Sequence, residues 1–104
     1  MPEVALTANT LRLIERIFPS ELCASVVALV EAECGSGLPF MGEATPEGLE
    51  RVRFAVLKLS KGSTTQLARE VALANIDWRD VLVAAEFATD VHAHRLWLRE
   101  RLRA

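Results

Sequence analysis

Closely spaced helix starts and stops constrain this chain more than any other feature. Asn9 can cap a first helix that places Leu11, Ile14 and Phe18 on one face, and Pro19 ends it. Ser20 can cap a second, which runs to Cys34 and stops at Gly35, with Cys23, Val26, Val27, Val30 and Cys34 as its stripe. Thr45-Pro46-Glu47 combines a cap, a proline at the first helical position and a carboxylate at the positive helix end. The third helix it opens runs to about Ser60, with Gly62 just beyond. Ser63-Thr64-Thr65-Gln66 matches a capping box and opens a fourth, which Asn75 can close in the left-handed conformation. Asp77 caps a fifth over Trp78–Ala88, with Trp78, Val81, Leu82 and Ala85 inward. Thr89-Asp90 starts a sixth, with Val91, Leu98 and Leu102 on one line. No segment shows the alternation of a half-buried strand. Short helices with shorter connections predict an all-α fold, a compact orthogonal array of about five to six short helices.

At 104 residues the chain is read as a single helical domain over 1–104, large enough to bury its own core. A hydrophobic content of 51% and a charged content of 25% are globular values and exclude disorder. The net charge of −2 argues against general attraction to nucleic acid. That charge is unevenly placed: residues 1–50 carry eight acidic and two basic side chains, residues 51–104 six acidic and ten basic. If the fold keeps the halves apart, the molecule presents complementary surfaces. Cys23 and Cys34 stand eleven residues apart on one face of the second helix. That is about 16 Å, beyond disulfide reach, and two unpaired thiols point to a reducing compartment. Met1-Pro2-Glu3 lacks the basic region of a secretion signal. The most apolar run, Leu22–Val30, is too short to cross a bilayer. The expectation is a cytoplasmic protein that does not enter a membrane.

Two features suggest a partner. The third helix has a main stripe of Leu49, Val52, Val56 and Leu59, while Phe54 and Leu57 point elsewhere. A helix apolar on two sides is either central or part of a subunit contact. The loop residues Leu38, Phe40 and Met41 are apolar where loops are usually polar; they either fold over the core or anchor a partner. The last helix adds Arg95, Arg99 and Arg103 at four-residue spacing, a basic stripe that suits the helix C-terminus or an anionic or acidic partner. Together these favour a protein–protein contact domain that forms homo-oligomers.

The junction Ala74–Asp80 also has the outline of a helix-turn-helix, so a nucleic-acid-binding regulator using helices within 63–104 is the alternative. Its chemistry opposes that role: Asp77 and Asp80 would meet phosphate, and Val81-Leu82-Val83 is apolar where bases should be read. A metal- or thiol-dependent enzyme has less behind it. His92 and His94 point about 200° apart on a helix and cannot share a metal there. No nucleophile sits in a recognisable elbow, and Gly35-Ser36-Gly37 lacks the flanks of a phosphate loop. No catalytic residue, metal ligand or cofactor is assigned.

Overall fold

A computed structural model describes residues 5–35, 37–39 and 45–103. Phe40 and Met41 of the apolar loop lie outside the described residues. The described residues form five helices and no strand: α1 (Ala8–Ile17), α2 (Ser20–Glu33), α3 (Pro46–Ser60), α4 (Thr64–Ala84) and α5 (Ala93–Leu102). The fold is all-α.

The α3 helix is the centre. Six consecutive residues, Val52 to Leu57, are buried, so every side of this helix faces protein. Apart from Arg53 the run is apolar on every side, as expected where the middle of a helix is enclosed by protein. The main packing pair is α3 with α4; α2 rests on α1 and α4, while α5 rests on α1 and α3. The core joins Leu13, Ile14 and Phe18 of the first hairpin to Val26 and Val30 of α2, Leu67 and Val71 of α4, and Leu98 of α5.

Local starts follow cap chemistry with two corrections. Thr45 Oγ1 accepts from Gly48 N–H at 3.0 Å and Ser63 Oγ from Gln66 N–H at 3.1 Å, as the sequence requires. The first cap is Thr7 rather than Asn9, with Thr7 Oγ1 accepting from Thr10 N–H at 3.2 Å. Leu13 and Ile14 face inward, whereas Leu11, expected on the same face as Ile14, is 38% exposed. Ser20 is the first residue of α2 and not its cap; Pro19 precedes it and no side chain caps that end.

The Ala74–Asp80 junction is a single kink inside α4. Asp77 alone leaves helical geometry, at φ −159° and ψ 105°. Its Oδ1 accepts from Arg79 N–H at 3.1 Å, so it does cap the second segment. Asn75 does not end the first segment left-handed, since the positive-φ residues among those described are Lys61, Gly62 and Glu86. The Asn75 amide instead donates to Glu33 O at 2.7 Å and Val71 O at 2.9 Å, tying α4 to the end of α2. The second segment stops at Ala84, four residues short of the expected end. Phe87 N–H donates to Leu82 O at 2.8 Å and Glu86 N–H to Val83 O at 3.1 Å, a Schellman ending with Glu86 at φ +67°. That ending turns Phe87 into the core. The last helix likewise begins at Ala93; Asp90 Oδ1 accepts from His92 N–H at 2.8 Å in a preceding turn, and Val91 faces solvent.

Candidate functional site

The sequence-predicted partner residues fall inside the chain's own core. Phe54 and Leu57 are fully buried on α3, and Leu38 folds down onto the core at 5% exposure. The reading of these three as a partner surface is therefore corrected. The two-sided apolar character of α3 reflects its central place, and Leu38 covers the open end of the core.

The basic side chains have two fates. Several act as intramolecular staples on backbone carbonyls. Lys58 Nζ donates to Ala85 O at 2.7 Å, and its ammonium lies 5.0 Å from the centre of the Phe87 ring. Arg51 donates to the carbonyls of Phe87 and Ala88. Arg16 Nη2 donates to Leu102 O at 2.8 Å. Arg53 is the deepest: 1% exposed, it gives Nε–H to Cys34 O at 2.8 Å and Nη1–H to Ala5 O at 3.2 Å. Burial lowers its pKa, against the raising influence of Cys34 and Glu31 nearby. Helix and turn ends leave carbonyls without intrahelical partners, and charged donors from neighbouring elements supply them. No periodicity announces such roles, so sequence reasoning missed all four.

The second group stays in water. Arg95 and Arg99 are exposed along α5 and Arg103 is exposed at its C-cap. Arg95 Nη2 lies 3.5 Å from Glu47 Oε1, a loose surface pair. The acidic counterpart is α2, which carries Glu21, Glu31 and Glu33 and no basic residue. Glu31 is half-buried, with Oε2 accepting from Leu6 N–H at 3.3 Å; Glu21 and Glu33 are exposed. The two charged helices, α2 and α5, are not among the main packing pairs.

Exposed large apolar side chains gather on α4 at Leu73 (44%), Ile76 (68%) and Val83 (65%). Leu73 and Ile76 are three residues apart and share one side of α4. One face of α2 is small and open, with Ala24, Ala28 and Ala32 exposed.

An aromatic cluster closes the other end of the molecule. The His94 ring meets Phe54 edge-on at 5.5 Å and Phe87 at 6.2 Å, and Trp97 packs against both phenylalanines. His94 is 3% exposed and neither ring nitrogen has a hydrogen-bond partner. Burial lowers its pKa below the ordinary 6.5; Glu50 opposes the shift, and Arg95, Arg51 and His92 reinforce it. Above His94 lies a groove of about 220 Å³ between the starts of α3 and α5.

The helix pair at the kink lacks a base-reading face. Arg79 grips the Asp77 carboxylate through Nε at 2.8 Å and Nη2 at 2.7 Å, while Val81 and Leu82 are buried. Among the described residues no three His, Cys, Asp or Glu side chains converge as a metal site would require. Cys34 is buried and its thiol is pushed up to about 12 by burial, with Arg53 opposing, so it carries no thiolate at neutral pH. No helix is long and apolar enough to cross a membrane among the described residues. Comparison with family models, curated proteins and solved structures found no match to this chain.

Proposed function

We propose that this domain works by protein–protein contact and associates with further copies of itself, in a reducing cytoplasm. The observation that carries this reading is the pairing of an exposed apolar patch with two oppositely charged helices. Leu73 and Ile76, three residues apart on one side of α4, expose apolar surface, and α2 carries an acidic, small-residue face. The basic α5 rests on other elements. A face of one sign on one copy and of the opposite sign on the next steers head-to-tail docking, and apolar contact at its centre supplies the affinity. Such an arrangement closes into rings or grows into chains according to its rotation.

Sedimentation velocity at micromolar concentration tests the reading. The expected result is a concentration-dependent increase in mass that weakens as salt rises, because the charged rim is screened. Ile76→Arg should abolish association while the far-ultraviolet dichroism stays unchanged. A monomer at all concentrations, indifferent to salt, refutes the proposal.

A further inference from the structure

The groove between the N-termini of α3 and α5 gathers Arg51, His92, His94 and Arg95, with Glu47 and Val91 also on its wall. Thr45 and Gly48 bring the first turn of α3, and His92, His94 and Arg95 bring the start of α5. Arg51 contributes a second guanidinium. Both helices point their positive ends at this groove. No side chain caps α5 and its first turn holds no carboxylate, but Asp90 just before it accepts from His92 N–H at 2.8 Å.

The second observation is His94. It lines the groove, is nearly fully buried, and leaves both ring nitrogens without a partner. A buried polar group with nothing to bond costs free energy unless a ligand or ion completes it. The counter-charge already present is Glu47, whose carboxylate sits 3.5 Å from Arg95. Its side chain is 82% exposed, so it can swing into solvent without losing buried contacts. Glu50, on the next turn, is held by Thr7 Oγ1.

We propose that this groove binds a small oxyanion, a carboxylate or a phosphate, which displaces Glu47 from Arg95 and gives buried His94 its missing hydrogen-bond partner. The volume admits a compact metabolite-sized anion. Arg95 supplies charge and direction, the two helix starts supply dipole, and His94 supplies a buried donor. The site shares Arg95 with the basic face of α5 but none of the apolar patch, so Ile76→Arg tests association without touching it.

Amide NMR at constant ionic strength, with inorganic phosphate in one series and acetate in the other, tests this. Saturable shifts at Gly48 and at residues 91–95 are expected, with the His94 ring signals moving toward the charged imidazolium. Saturation with phosphate alone, or with acetate alone, assigns the oxyanion. Arg95→Gln should weaken binding roughly 10-fold, the loss of one charge-assisted hydrogen bond. Glu47→Gln should tighten it, while Arg69→Gln, an equal charge change on exposed α4, should leave it unaltered. Shifts that never saturate with either anion, or an equal loss in Arg95→Gln and Arg69→Gln, overturn the proposal.

Discussion

Arg53 offers the sharpest test of how this fold is held together. Replacing it by Met keeps a long apolar stem and removes the guanidinium. Two of its hydrogen bonds are to backbone carbonyls, at Cys34 and Ala5. Bonds to a charged donor contribute about 1.5–3 kcal/mol each, so about 3–6 kcal/mol is at stake. Met also relieves the burial of a charge, which offsets part of this loss. Exchanging a whole buried ion pair for apolar residues is often neutral. That outcome is blocked here, because the acceptors are backbone carbonyls that no substitution removes. Each carbonyl left dry costs about 1–3 kcal/mol. The expected net loss is about 2–4 kcal/mol. For a domain of this size that lowers the melting temperature by roughly 8–16 °C. Urea unfolding followed by tryptophan fluorescence reads it directly, as a lower midpoint with unchanged slope. Arg53→Lys should fall between, since a single ammonium cannot reproduce the planar fork. An Arg53→Met protein within about 0.5 kcal/mol of the parent would refute the carbonyl argument, a difference typical of surface substitutions.

Glu86→Gly should raise stability by about 0.5–1 kcal/mol, because Glu86 sits at φ +67° and only glycine adopts that conformation without strain; calorimetry reads it as a higher melting temperature. In the native state a thiol reagent should modify half-buried Cys23 before Cys34, which reacts only on unfolding; mass spectrometry of the labelled peptides reports the order. His94 has a folded-state pKa below the ordinary 6.5, so the unfolded chain binds the proton more readily. Its contribution is therefore complete above that value and declines as pH falls through it, and the decline should be absent in His94→Gln when urea midpoints are compared between about pH 7 and pH 5. Trp78 is half-buried with an indole N–H that has no partner. Trp78→Phe, which deletes that donor, should change stability by less than about 1 kcal/mol, whereas Trp78→Ala should cost clearly more by the same urea assay.

Helix starts were legible in the sequence wherever one side chain meets a backbone amide two or three residues away. Thr45, Ser63 and Asp77 act as their spacing demands, and the interaction is complete within one turn. Helix ends were less legible. The Schellman turn at Glu86 uses a residue with no intrinsic preference for it. What favours the turn is Phe87 entering the core, with Lys58 and Arg51 bonding the carbonyls released. The Arg95, Arg99 and Arg103 stripe was readable because exposure follows helical spacing. The groove above His94 was not, because it joins residues nearly fifty positions apart.

By itself the sequence determined that the chain is helical, where α3, α4 and the segment after its kink are capped, and which face of α5 is basic. Those properties depend on neighbours within a turn or two, so they survive in any fold. Tertiary structure alone decided which apolar faces were spare. Phe54 and Leu57 had the pattern of a contact surface and became the centre. Leu73 and Ile76 had the pattern of an ordinary helix and became exposed. Burial is a property of what packs on the other side of a residue, and no local pattern records that. The same holds for charge. Arg12 and Arg16 belong to the acidic half of the chain, yet Arg16 reaches the end of α5, because folding sorts charges by helix and not by position along the chain.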